Sequence, residues 1–143
     1  MWGFLRILMI SHLLWTVSAK FDLTEVSDII QDEILTWHDV CRDVTGTTEE
    51  AIKQVQIGHF IDDDALKKYV FCMWRISGVM STNFKMHFDR VEEYLPERTR
   101  GIASQTLKGC HDKVKDKDLP NFEKTYILQK CLYDEDFDDF VLF

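Results

Sequence analysis

Four cysteines, Cys41, Cys72, Cys110 and Cys131, stand with 30, 37 and 20 residues between them in a chain of 143. An even number of cysteines in a short chain with an export leader reads as two disulfides, because an oxidising compartment lets thiols pair and keeps them paired. Four cysteines allow three connectivities, and spacing alone does not choose among them. Each cysteine falls within a stretch of helical periodicity, so each bridge ties one helix to another. In the chain-entropy account a loop of this size contributes roughly 3–4 kcal/mol. The expected fold is therefore all-α, about six helices stapled by two bridges. Such a bundle either has a filled core or stays open around an internal apolar pocket.

The leader sets the compartment. Met1 to Arg6 carries one positive charge, Ile7 to Val17 is mostly apolar, and Val17-Ser18-Ala19 offers small residues for a peptidase. The apolar run is about 11 residues, whereas a membrane span needs about 20, and no later segment is better suited. Residues 1–19 are thus expected to be a cleaved secretory signal peptide. Residues 20–143 then form one helical domain in extracellular fluid, with a tail over 134–143. The formal net charge is −8, and removing the leader takes away one base, Arg6, and no acid. An acidic chain of this kind repels phosphate backbones, which argues against nucleic acid as a partner.

Apolar residues at steps of three and four place the helices. Leu23, Val26, Ile30, Ile34, Trp37, Cys41 and Val44 form the first stripe, with Thr24 as expected N-cap and Gly46 as stop. Thr47 or Thr48, followed by Glu49 and Glu50, opens a second helix ending near Gly58. Asp62-Asp63-Asp64 opens a third, expected over Ala65 to Met80, where acids suit the helix dipole. Met86 to Leu95 reads as a fourth helix stopped by Pro96, Glu97 to about Val114 as a fifth, and Pro120 to about Tyr133 as a sixth. No stretch reads as a strand.

Catalytic equipment is missing from the pattern. Asp134, Asp136 and Asp138 alternate as in a calcium loop, but the sixth position is Asp139 where glycine is needed, and no glutamate follows at the twelfth. His38-Asp39 and His111-Asp112 are sequence neighbours, which do not face each other on a helix. No serine, cysteine or lysine nucleophile has a base at useful spacing. We therefore expect no enzyme, no metal and no cofactor.

The third helix reads Asp64-Ala65-Leu66-Lys67-Lys68-Tyr69-Val70-Phe71-Cys72-Met73, and the sixth opens Pro120-Asn121-Phe122-Glu123-Lys124-Thr125-Tyr126. With the cysteine spacing, these segments resemble the insect odorant-binding proteins of the pheromone- and general-odorant-binding type. That family usually has six cysteines, the second and third separated by three residues and the fifth and sixth by eight. Cys72 matches the third and Cys131 the sixth, while Lys68 and Phe122 occupy the places of the second and fifth. Those two cysteines form one bridge in the family, so the chain resembles its four-cysteine (Minus-C) subgroup, and α-helical contact between the third and sixth helices is expected to be looser. The resemblance covers the whole chain after the leader. It implies the pairings Cys41–Cys72 and Cys110–Cys131 and an internal pocket that carries odorants, pheromones or similar semiochemicals. It also implies a monomer or weak homodimer, with no membrane insertion, and leaves room for a membrane chemoreceptor as a further partner.

A carrier of that sort needs a mostly apolar cavity with few polar groups. The candidate lining is Trp74, Ile76, Val79 and Met80 on the third helix, Met86 and Phe88 on the fourth, Ile102, Ala103, Thr106 and Leu107 on the fifth, and Leu128 and Leu132 on the sixth. In the tail, Phe140 and Leu142 follow Asp138 and Asp139, and such a charged-then-apolar end either folds back to plug a pocket mouth or frays as an ordinary terminus. If the tail is a plug, His38, His59, His87, His111 and the tail acids are the groups through which pH would gate it, with the sign of the effect open because a protonated imidazole beside Asp138 attracts it. The competing expectation is a secreted helical signalling or interaction protein with a filled core.

Overall fold

A computed structural model describes residues 23–135; the expected signal peptide over 1–19, and the residues beyond Glu135 with Phe140 and Leu142 among them, lie outside the described residues. Six helices follow a single 3₁₀ turn at Leu23–Glu25: α1 (Asp28–Thr45), α2 (Glu49–Gln56), α3 (Asp64–Ile76), α4 (Phe88–Tyr94), α5 (Arg100–Val114) and α6 (Asn121–Asp134). No strand occurs among the described residues, where the only β pairing is an isolated bridge between Met80 and Met86. The expected all-α architecture of six helices and two bridges is the one observed.

Local chemistry explains most of the boundaries. Thr48 Oγ1 accepts from the Ala51 N–H at 3.2 Å, and Asp63 Oδ1 from the Leu66 N–H at 2.7 Å, so α2 and α3 begin on side-chain caps. Gly46 closes α1 with φ +70°, and its N–H donates to the Arg42 carbonyl. Leu95, before Pro96, is extended (φ −104°, ψ 145°) and ends α4.

Three boundary expectations are corrected. Thr24 is not the cap of α1: the chain makes a 3₁₀ turn there, the Glu25 carboxylate is held by Arg98 at 2.7 Å, and Ser27 takes the N-cap position. α3 does not reach Met80, because Ser77 Oγ turns back to the Trp74 carbonyl and Gly78 takes φ +74°. The following loop runs as a hairpin-like excursion closed by Val79, Ser81, Lys85 and His87 backbone bonds. α5 starts at Arg100 rather than Glu97, after a turn in which the Thr99 N–H bonds the Pro96 carbonyl. Within α1, Ile34 and Cys41 are buried as the stripe requires, while Val44 on the last turn is exposed.

α3 is the centre of the bundle. It packs on α1 and on α6, α5 packs on α6, and α4 on α5. Cys41–Cys72 joins α1 to α3 with Cα atoms 5.7 Å apart, and Cys110–Cys131 joins α5 to α6 at 5.8 Å. At the place of the family's third bridge, the Lys68 ammonium sits 5.6 Å from the centroid of the Phe122 ring, a cation–π contact between α3 and α6. Beside it, the buried Lys67 pairs with Asp62 and, at 2.9 Å, with Glu123 of α6. The expected looseness is thus met by two noncovalent ties.

Candidate functional site

Residues at helical spacing turn one face of each helix into a single apolar interior. From α3 come Leu66, Tyr69, Val70, Met73 and Trp74; from α5, Ala103, Leu107, Cys110 and Val114; from α6, Tyr126, Leu128 and Leu132. The loop after α3 adds Val79, Met80, Phe84 and Met86, all buried although their backbone is not helical. Phe84 takes φ +65° to reach inward, where its ring stacks on His111 at 5.0 Å.

Of the candidate lining residues, Trp74, Val79, Met80, Met86, Ala103, Leu107, Leu128 and Leu132 fall together in this interior. Phe88 packs against it from α4, and Thr106 is half-buried. Ile76 and Ile102 stand outside it, 40% and 69% exposed. The inward stripe of α5 is Ala103, Leu107, Cys110, Val114, and Ile102 lies one residue off that stripe, about 100° round the helix. Ile76 is the last residue of α3, past the inward-facing Met73 and Trp74.

Few polar groups enter the interior, and most of those that do are paired. The Trp74 indole N–H donates to Gln129 Oε1 at 3.0 Å. Thr125 Oγ1 donates to the Asn121 carbonyl at 2.7 Å and lies 3.4 Å from Met80 Sδ. The Tyr126 hydroxyl donates to the Ile61 carbonyl at 2.8 Å, and burial pushes its pKa up to about 12. Tyr94 likewise reaches the Ser77 carbonyl at 3.0 Å, with its phenol pushed up by burial. Among the described residues one buried side-chain atom has no partner and no contact with solvent, Thr47 Oγ1 between α1 and α2.

A polar chain leads from the rim inward. Arg42 donates to Glu49 Oε1 at 2.6 Å, Glu49 meets His38 Nε2 at 2.8 Å, and His38 Nδ1 meets the Tyr69 hydroxyl at 2.8 Å. A carboxylate only accepts, so Nε2 carries the proton and Nδ1 accepts from Tyr69. The Arg42 guanidinium, and after it His38, hold the Glu49 carboxyl below its usual range, while burial raises the Tyr69 phenol.

Metal-type ligands gather once among the described residues, at Cys110, Cys131 and Glu135. Both sulfurs there belong to a disulfide, and Glu135 pairs with Lys113 at 2.8 Å, so the group offers no thiolate and no open carboxylate.

Sequence reasoning missed Tyr69, Thr125 and Gln129. A signal was present: Tyr69 lies on the stripe Leu66, Tyr69, Val70, Met73, and Thr125 and Gln129 on the stripe that holds Leu128 and Leu132. Their polar side chains kept them out of a lining defined by apolarity.

A profile described as the PBP/GOBP family matches residues 24–135, nearly the whole of the helical domain. The chain belongs to the PBP/GOBP family. With two bridges formed by four cysteines, it has the form of the Minus-C members of PBP/GOBP. Three solved structures share the PBP/GOBP fold at low identity. An odorant binding protein of Locusta migratoria is 20% identical, with a TM-score of 0.65 over 78% of this chain and 84% of that one. Odorant binding protein 5 of Apis mellifera is 19% identical, with a TM-score of 0.66 over 82% and 97%. Odorant binding protein 4 of Chrysopa pallens is 20% identical, with a TM-score of 0.62 over 76% and 91%.

Proposed function

We propose that this PBP/GOBP chain is a secreted carrier that takes small hydrophobic molecules into the interior between α3, α5 and α6 and moves them through aqueous fluid. The family match over residues 24–135 carries this reading. It is supported by an interior whose walls are almost wholly apolar, with Met73, Met80 and Met86 among them, since flexible thioether side chains adapt to ligands of different shape. Among the described residues no helix is long and apolar enough to cross a membrane. The leader and the bridges fit export. The ligand class in this reading is an odorant, a pheromone or a similar semiochemical, and no catalytic step is part of it.

Release on acidification belongs to the same reading. Once protonated, His38 donates at Nδ1, so the Tyr69 hydroxyl must accept there and send its own proton elsewhere, which rearranges the hydrogen bonding at the wall of the interior. The groups facing His38 are Tyr69 of α3, Glu49 of α2 and Arg42 of its own helix.

Displacement of N-phenyl-naphthylamine from the oxidised protein without residues 1–19 tests both parts. Saturable one-site binding, reversed by long-chain alcohols, esters or terpenoids, is expected, with Trp74 fluorescence changing as ligand enters. Absence of binding from pH 5 to pH 8 in a protein whose helical circular dichroism is intact overturns the carrier reading in favour of a helical interaction protein. Equal affinity at pH 7.5 and pH 5 overturns only the acid release.

A further inference from the structure

Gln129 is 3% exposed, on the inward stripe of α6 between Thr125 and Leu132. Its oxygen end is assigned by chemistry: an indole N–H is only a donor, so the atom 3.0 Å from Trp74 Nε1 is the amide oxygen. The amide NH₂ is therefore turned away from Trp74, and it makes no hydrogen bond among the described residues. Thr125, one turn earlier on the same face, sends its own hydroxyl proton to the Asn121 carbonyl, and Leu128, Leu132 and Met80 nearby are apolar. Among the described residues Thr47 Oγ1 is the one enclosed side-chain atom without a partner, so Gln129 Nε2 keeps some accessible surface and is left open to an acceptor that enters, and a donor at an apolar wall gains when that acceptor arrives.

We propose that Gln129 Nε2 is the polar anchor of the ligand site and selects uncharged apolar molecules that carry a carbonyl oxygen: ketones, aldehydes and esters. The inference rests on the carrier reading and names the ligand class within it. A pure hydrocarbon fills the same space but leaves the amide unpaired. A carboxylate satisfies the amide but brings a charge into an apolar interior, and the one buried cation among the described residues, Lys67, is already committed to Asp62 and Glu123. An alcohol oxygen accepts from Gln129 but adds a hydroxyl proton of its own that needs a further acceptor. A carbonyl oxygen has two lone pairs and no proton, which is what an amide NH₂ amid leucine and methionine side chains complements. Trp74 fixes the direction of that amide, because turning it end for end would set N–H against N–H.

The test uses the full domain with both bridges and N-phenyl-naphthylamine as displaceable probe. The competitors are a hydrocarbon, a ketone, a primary alcohol and a carboxylic acid of equal chain length. The ketone is expected to bind about tenfold tighter than the hydrocarbon, as one neutral hydrogen bond to a donor without a protein partner implies. Gln129→Leu should bring that ratio close to one while keeping the hydrocarbon's affinity. Because this substitution also strips Trp74 of its acceptor, the unaltered protein supplies an independent reading. The side-chain amide resonance of Gln129 in a nitrogen–proton correlation spectrum should shift downfield with ketone and stay with hydrocarbon. Equal binding of ketone and hydrocarbon, as when a resident water already occupies the amide, overturns the anchor and leaves the carrier standing. So does a ketone preference that survives Gln129→Leu, or an amide resonance unmoved by ketone. Failure of the probe itself to bind overturns the carrier reading and the anchor together.

Discussion

Replacing Gly58 by alanine isolates one contact between the end of α2 and the end of α6. Gly58 has φ +87°, and a Cβ there would lie 2.5 Å from the Tyr133 ring and hydroxyl. Gly46 offers the matched control, with φ +70° and nothing within 4 Å of its Cβ position. A left-handed alanine costs roughly 1–2 kcal/mol in the folded chain, offset by about 0.4–1 kcal/mol from the restricted unfolded chain. Gly46→Ala should therefore lose about 1 kcal/mol. Gly58→Ala carries the same backbone loss and must also expel Tyr133. That ring is half exposed and free to swing outward, but doing so gives up its edge contact with Phe60, whose centroid is 5.9 Å away. An aromatic pair of this kind is worth about 0.5–1.5 kcal/mol, so the total is about 2 kcal/mol. Urea unfolding of both variants, followed by helical circular dichroism, measures the difference, and thermal midpoints should fall by roughly 4 °C per kcal/mol in a domain of this size. In a Tyr133→Ala background the two substitutions should become equivalent. Equal losses for Gly46→Ala and Gly58→Ala in the unaltered chain would refute the reasoning, as would a difference that persists without Tyr133.

Other consequences are open to direct measurement. Trp74→Phe keeps the ring but strands Gln129 Oε1, and should cost about 1–3 kcal/mol; removing both partners in Trp74→Phe/Gln129→Leu should recover part of that, as a double-mutant cycle would show. Cys41→Ala/Cys72→Ala opens a loop of sequence separation 31 and Cys110→Ala/Cys131→Ala one of 21. Each should lose roughly 3–4 kcal/mol, with the longer loop slightly the costlier, in denaturant titrations. The Glu49 carboxyl is held below its usual 4.5 by Arg42 and His38. Its contribution to stability is present above pH 4.5 and is lost as pH falls through the lower folded value, so Glu49→Gln should flatten the acid limb of a stability–pH curve. A limb of unchanged slope would show that Glu49 is not part of it.

Helices and staples were legible in the sequence because their determinants are local or carried by a small number of residues. The stripes Ile34 to Cys41 and Leu66 to Trp74 have one period throughout, Thr48 and Asp63 are caps by residue type, and the cysteine spacing with its resemblance named both bridges. The loop after α3 was not legible. Val79, Met80 and Met86 look like a helical stripe, and only the left-handed turn at Gly78 and the inward Phe84 show how a non-helical segment delivers the same side chains to the core. Within the candidate site, apolarity found Trp74, Ala103, Leu107, Leu128 and Leu132 but also nominated Ile76 and Ile102, because phase errors of one residue on a helix cannot be seen without the neighbouring helix. Gln129 was hidden for the opposite reason: its burial depends on Trp74, a residue 55 positions away.

The two bridges are sequential rather than interlaced, Cys41 with Cys72 and then Cys110 with Cys131. Drawn as a graph of covalent links, the domain is two closed rings joined by a single strand of backbone, and Lys68 and Phe122 stand where a third link would have crossed from one ring to the other. A protease that cuts once between Cys72 and Cys110 therefore leaves two separate polypeptides, without any reductant. They stay together through noncovalent contacts such as the apolar interior, the Lys68–Phe122 contact, the Lys67–Glu123 ion pair and the Tyr126–Ile61 hydrogen bond, so the mass of the nicked chain in denaturant reports at once whether the molecule was ever one covalent body.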